Sequence, residues 1–389
     1  MQFEPKSKSQ NASAGPTGEP ALVDFIRDTI RRRGAVSFAW FMEQALYHPR
    51  YGYYSSGRCA IGCRGDYFTN VSVGPLFGRL LATQFAEMWN SLGQPDDFTV
   101  VEQGAHDGAF AHDVLAAARE RAPDFFAALR YRIVEPFPIL RAKQTEALRG
   151  LEEKVVWTNA LDDLEPFSGV HFSNELLDAM PVHLLRRSGC EWQELHVTEA
   201  DGELVFVSRP IADEKLLRQV RKIPRSAVEP YETEVNLATL DWLEILSQKL
   251  IRGYVLAVDY GYARDEFYSP TRTSGTLRSY ARHRINPSPL HEIGHADISA
   301  QVDWTSLAER AEECGLTLAG FTDQHHFITG LISRTDFSVA NETRALQTLL
   351  HPELLGTAFQ FLALVKNASP NQLTGFRFAR DPRAMLGLR

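Results

Sequence analysis

Cysteine is scarce in this chain, with only Cys59, Cys63, Cys190 and Cys314 among 389 residues. Thiols so few and so scattered cannot build a disulfide framework for a chain of this size, which excludes the stapled secreted scaffolds and points to a reducing compartment. Cys59 and Cys63 form C-x-x-x-C, a poor metal pattern without a second pair, so free thiols are expected and no metal site is. Basic surplus is missing too. The 41 Lys and Arg stand against 49 Asp and Glu, a net charge of −8, which argues against nonspecific nucleic-acid binding. No apolar run approaches the length of a membrane span. Residues 1–20 lack both the apolar core of a secretory signal and the arginine-rich amphipathic stretch of a transit peptide. Rich in Ser, Gly, Pro, Lys and Asn, they read as a disordered leader, and a cytoplasmic location is the expectation. Internal repeats are also absent.

The chain is long enough for one large domain with insertions or for two domains. Its most informative stretch is Phe98-Thr-Val-Val-Glu102-Gln-Gly104-Ala-His106-Asp107-Gly108, an apolar run into an acid, then a turn on closely spaced glycines before an alanine-rich helix. In a doubly wound sheet that order puts a ligand at the carboxyl end of a strand, where the glycine turn admits it and helix amides face it. The dinucleotide spacing G-x-G-x-x-G fails, because His106 stands between Gly104 and Gly108. The stretch alone leaves a nucleotide-type site and a structural turn both open.

Helical periodicity begins at Ala21, with Leu22, Phe25, Ile26 and Ile30, and returns over residues 37–47 behind a Ser37 N-cap and over 75–92. Strands over 98–102, 129–135, 154–157 and 170–173, with helices over 109–121 and 139–149, predict a parallel sheet covered by helices on both faces. Their ends, Glu102, Glu135 and Asn174-Glu175, share one sheet edge and should converge. After Pro181 a hairpin about Asp201-Gly202 and a long helix over 234–252 read as an insertion. The sheet resumes over 254–261 and closes with strand-like runs at 316–321 and 358–365, an antiparallel edge hairpin. The expected class is α/β, a Rossmann-like sheet with a helical N-terminal segment and an inserted α+β subdomain. The expected divisions are a leader 1–20, a helical region and loop 21–95, a sheet domain 96–185 and 253–366, an insertion 186–252 and a tail 367–389.

Four stretches could carry chemistry. Glu135 stands where an acid would accept from both hydroxyls of a ribose, although pairing with Arg132 or Arg141 is the plainer alternative. Asp162 or Asp163 could reach an adenine amino group, or simply be solvated. In Ser173-Asn174-Glu175-Leu-Leu-Asp178, two acids three apart would face the same way on a helical turn and suit a cationic substrate, a guanidinium fork above all. The bland reading is a helix N-terminus decorated with acids. Finally, His291-Glu292-Ile-Gly-His295 fits the zinc-protease signature, but Pro287, Pro289 and Gly294 forbid the regular helix that chemistry needs, so the match reads as accidental.

Together these stretches resemble the MidA-like family of class I S-adenosylmethionine-dependent methyltransferases, which includes the mitochondrial complex I assembly-factor arginine methyltransferase. The resemblance spans about residues 38–366. It rests on Met42-Glu-Gln-Ala-Leu-Tyr-His-Pro with Gly52-Tyr-Tyr, Gly65-Asp66-Tyr-Phe-Thr69, Glu102-Gln-Gly-Ala, Ile133-Val-Glu135-Pro, Asn174-Glu-Leu-Leu-Asp-Ala with Pro181, Asp259-Tyr-Gly261 and Gly275-Thr-Leu. It implies S-adenosyl-L-methionine as cofactor, held by Gly65, Asp66, Thr69, Glu102, Gly104, His106, Gly108, Glu135 and Asn174, with Glu175 and Asp178 as catalytic residues facing a protein arginine. It departs from the family at His106, where glycine is expected, and at Phe137, where serine is. A non-catalytic scaffold that binds a protein partner is therefore the alternative. The expected partner is a protein substrate, without nucleic acid or membrane, and a homodimer is left open.

Overall fold

The computed structural model describes residues 17–57, 69–189, 191–225, 228–281, 284–333, 342–370 and 372–388. The leader up to residue 16, Cys59, Cys63, Cys190, Gly65 and Asp66 lie outside the described residues, while Cys314 is a free thiol.

Helix α1 (Pro20–Arg33) buries Leu22, Val23, Ile26 and Ile30, the stripe its periodicity predicts. A two-residue strand β1 (Val36–Ser37) runs into α2 (Phe38–Tyr47), where Ser37 Oγ accepts from the Trp40 amide at 3.2 Å as an N-cap. After α3 (Leu76–Ser91) come β2 (Phe98–Gln103), α4 (Ala109–Arg121), α5 (Pro123–Ala128), β3 (Leu129–Val134), α6 (Pro138–Ala147), β4 (Val155–Thr158) and β5 (Phe167–Asn174). The middle of the chain supplies β6 (His183–Ser188), β7 (Glu191–Ala200), β8 (Glu203–Pro210), α7 (Glu214–Val220), β9 (Tyr231–Val235) and α8 (Leu237–Lys249). The last part holds β10 (Leu250–Tyr262), α9 (Arg264–Phe267), β11 (Arg278–Ala281), β12 (Arg284–Ile285), β13 (Asp297–Ser299), β14 (Val302–Asp303), α10 (Trp304–Glu313), β15 (Thr317–Asp323), α11 (Gln324–Ile332), α12 (Thr343–Leu350) and β16 (Phe359–Lys366).

The principal sheet has the order β15-β16-β10-β5-β2-β3-β4, with β14 beside the end of β10. Strands β2, β3, β4, β5 and β10 are parallel, whereas β16 is antiparallel to both β10 and β15. This is the expected α/β class, and β15 and β16 form the antiparallel hairpin expected at the edge of the sheet. Strands β2, β5 and β10 are buried on both faces, which is why they read as apolar runs without alternation. One face packs Phe85, Phe110 and Phe172 in a core with α3 and α4, and the other packs Trp242, Leu243 and Trp304 from α8 and α10. The strand order diverges from the β2–β5 pair, and the carboxyl ends beside such a divergence form a crevice.

The second sheet, β1-β7-β6-β9 with β8 on β7, carries α1 and α2 on its apolar face. Its β7–β8 hairpin turns at Asp201 and Gly202, with φ of 51° and 80°, the pair of left-handed residues a two-residue hairpin loop needs. The helix expected over 234–252 is shorter. Asn236 caps α8 by accepting from the Thr239 amide at 3.0 Å, Glu234 belongs to β9, and residues 250–252 already run in β10. Glu234 is pinned by the amides of Thr276 and Leu277, each at 2.8 Å, contacts that helical periodicity cannot foresee. No helix among the described residues is long and apolar enough to cross a membrane.

Candidate functional site

A cavity of about 730 Å³ opens at the carboxyl ends of β2, β3 and β5. Its floor is the turn between β2 and α4. Gly104 has φ 83° and Gly108 φ 86°, and between them His106 takes φ 45°. A side chain at Gly108 would also press on Gln144, whose Cα lies 3.0 Å from the place a Cβ would occupy. The first amide of α4 is already taken, because Asp107 Oδ1 accepts from Ala109 at 3.1 Å. The His106 ring and that amide hold the Asp107 carboxyl below its usual range. A fixed anion at this helix start repels a pyrophosphate, which is the physical counterpart of the failed dinucleotide spacing.

Two acids stand over the turn. Glu102 is buried, its Oε2 accepting from the Tyr131 hydroxyl at 2.7 Å, and burial pushes its carboxyl up to about 8. Glu135 receives the Phe137 amide on Oε1 and Gln144 Nε2 on Oε2, both at 3.0 Å, and burial raises it as well. Gln144 also donates to the His106 carbonyl at 3.0 Å and accepts from Trp157 at 2.9 Å, so one buried amide ties the turn, the acid and β4 together. Arg141, the alternative partner of Glu135, donates instead to the Glu135 carbonyl at 2.7 Å and to Asn159 at 2.9 Å.

The opposite end of the cavity is acidic. After β5 the chain enters no helix, and Glu175 takes φ 53° in a turn, correcting the helical turn expected there. Asn174 links both walls, accepting from Asn70 at 3.1 Å and donating to Glu175 Oε1 at 3.0 Å. Asp259, in the last third of β10, accepts from the amides of Leu177 at 2.8 Å, Asp178 at 3.2 Å and Tyr260 at 2.8 Å, and burial lifts its carboxyl to about 7. Burial, then Asp259, pushes Glu175 and Asp178 well above the ordinary carboxylate range, with Asp297 adding to both.

The structure thus brings Thr69, Glu102, Gly104, His106, Glu135, Asn174 and Glu175 onto one cavity. Gly108 and Asp178 stand behind its wall, and Asp162 and Asp163 are solvent-exposed, their place being taken by Asn159, Ala160 and Leu161. Sequence reasoning missed Asn70, Gln144, Tyr131, Asp297 and the roles of Tyr47 and Tyr54. Only Gln144 left a trace, a polar residue one helical turn beyond the buried Leu140. The stretch His291–His295 forms a turn, with Glu292 at φ 52° and Gly294 at φ 75°, so its histidines share no helix face. Among the described residues no cluster of three or more His, Cys, Asp or Glu is placed to hold a metal.

A family model described as S-adenosyl-L-methionine-dependent methyltransferase matches residues 80–322. This chain belongs to that family. A crystal structure of a Burkholderia thailandensis protein bound to S-adenosyl-homocysteine is similar to this methyltransferase at 31% identity, covering 95% of this chain and 100% of that one with a TM-score of 0.85. Two curated relatives are 26% identical. The Drosophila melanogaster protein arginine methyltransferase NDUFAF7 homolog, mitochondrial, matches over 92% of this chain and 88% of its own length, and the Homo sapiens protein of that name over 91% and 85%. These relatives are mitochondrial, which overturns the cytoplasmic location expected from the leader: composition of a leader reports poorly on where a protein is sent. The cofactor is S-adenosyl-L-methionine, and the cavity fits it, pairing an acid at the end of the second parallel strand with a close glycine turn and an anion where a pyrophosphate would otherwise lie.

Proposed function

We propose that this methyltransferase modifies the guanidinium of an arginine in a protein substrate. The observation that carries the reading is Glu175, held on the cavity wall with Asp178, Asp259 and Asp297 behind it. So concentrated an acid field keeps protons when empty and favours a cation when filled. The relatives named protein arginine methyltransferases support the same choice of acceptor.

Glu135 would take the ribose hydroxyls on lone pairs left over by Phe137 and Gln144, while Glu102, Gly104, His106, Asn174 and Thr69 line the rest of the cofactor's place. Gly108 acts from behind by letting Gln144 approach. When bound, S-adenosylmethionine supplies an electrophilic methyl on a sulfonium that leaves neutral. The work left to this chain is placement. Asn174 occupies Glu175 Oε1, so Oε2 is the atom that orients the acceptor nitrogen and receives the proton that nitrogen sheds. An arginine arrives protonated, its pKa above about 12, and a carboxylate matches its fork. Asp178, standing behind the wall, tunes this field instead of touching the acceptor.

The test is Glu175→Gln assayed for methyl transfer to arginine-containing mitochondrial protein fractions, with the modified residue read by mass spectrometry. A loss of roughly 100-fold or more is expected, with S-adenosylhomocysteine affinity retained. Undiminished arginine methylation would defeat the reading.

A further inference from the structure

Two tyrosines, Tyr47 and Tyr54, line the same cavity as Glu175. Tyr47 is the last residue of α2, and Tyr54 lies where the chain returns after it. His48 ends that helix, and Gly52 packs so close that a Cβ would lie 2.6 Å from His48 N and Leu46 O. The fold-back lets the amides of Tyr53 and Tyr54 donate to Ala45 and Leu46 at 3.0 Å each. Tyr47 and Tyr54 stack with centroids 5.5 Å apart and planes 24° apart, and Tyr53 meets Tyr54 edge-on at 5.1 Å.

Both rings are registered to the acid wall through their hydroxyls. Tyr47 donates to the Ala179 carbonyl at 3.0 Å, in the loop that carries Glu175. Tyr54 donates to Asp297 Oδ1 at 2.7 Å, and Asp297 is near enough to Glu175 and Asp178 to perturb both carboxyls. A carboxylate with an aromatic face fixed beside it suits a flat, delocalised cation, since a guanidinium offers an edge of donors and a π-face that stacks, whereas an ammonium is a strongly hydrated point charge.

We propose that Tyr54, stacked on Tyr47 and held by Asp297, is a specificity-determining side chain that admits a planar guanidinium in preference to an alkylammonium, with Asp297 as its positioning residue. The assignment rests on the cationic-acceptor reading of the cavity. It adds which residue discriminates between cations and how.

The test is calorimetric titration of the full chain, saturated with S-adenosylhomocysteine, with ethylguanidine and with ethylamine. Ethylguanidine should bind the unaltered protein more tightly, and Tyr54→Leu should cut that preference by roughly tenfold. Tyr54→Phe keeps the ring but loses its bond to Asp297, so it should lower the preference by less than Tyr54→Leu does. Asp297→Asn still accepts from the Tyr54 hydroxyl, so it should weaken both cations while leaving their ratio intact. A preference that survives in Tyr54→Leu overturns the assignment and leaves the acceptor reading standing. If neither cation binds the saturated protein, the acceptor reading falls first and takes this assignment with it. Equal binding of both cations overturns the assignment alone.

Discussion

A left-handed backbone at a residue with a side chain costs about 1 kcal/mol or more, and the site accepts it twice, at His106 and Glu175. At His106 the cost has a visible alternative, because glycine adopts that conformation freely. His106→Gly relieves the strain but gives the unfolded chain about 0.4–1 kcal/mol of extra entropy. The two nearly cancel, so the melting temperature should move by only a few degrees. S-adenosylhomocysteine affinity, measured by calorimetry, should hold or rise, because the ring lines the cavity the cofactor enters. A tenfold loss would show instead that the ring is a binding contact. Residues such as Glu102, Gly104, Glu135 and Asn174 were legible because their signal is local, a strand end or a glycine turn. Gln144, Asn70 and Asp297 were not. Each owes its place to a partner between 38 and 243 positions away, and nothing in the sequence around Asn70 or Asp297 announces it.

At the scale of elements, β5 shows both the strength and the limit of pattern reading. The apolar run predicts the strand and its exit into Asn174 and Glu175, yet nothing in the pattern marks His171 inside it. Its ring is fully buried, edge-on to Trp242 at 5.4 Å, with no hydrogen-bond partner on either nitrogen among the described residues. Burial pulls it down to about 3, so the native ring is neutral. As pH falls below about 6.5, the unfolded chain gains a proton the native strand refuses, and stability drains until the native ring also protonates near 3. His171→Leu removes two unpaired polar atoms from the core. It should hold or raise the melting temperature at pH 7, by up to about 2 kcal/mol of stability, and flatten the loss between pH 6 and pH 4. A variant that melts much lower at pH 7 would mean the imidazole has a partner there. Other element boundaries were misread for the same reason. The 234–252 run looks helical throughout, and only the tertiary amides gripping Glu234 and the pairing of β10 divide it.

The whole molecule carries an unusual balance of buried acids. Glu102, Glu135, Glu175, Asp178, Glu234 and Asp259 are all raised, with burial as the leading cause in each, while Glu194, held down to about 2 by His183 and His196, runs against the trend. The sign follows directly. A raised carboxyl keeps its proton in the native state after the unfolded chain has lost it, so its stability is fully present below about pH 4 and is lost as pH climbs through the native value. For Glu102 that window runs from 4.5 to about 8, worth on the order of 3–5 kcal/mol across its width. The free protein should therefore melt lower at pH 8.5 than at pH 5.5, against the common pattern in which paired carboxylates make acid the enemy. Glu102→Gln isolates one share, because its amide oxygen can still accept from the Tyr131 hydroxyl and it has no charge to bury. It should melt slightly above the unaltered protein at pH 5.5 and further above it at pH 8.5. If the two curves run parallel across that range, Glu102 is ionised in the fold at neutral pH, and the view of this cavity as a store of protons awaiting a cation fails at Glu102.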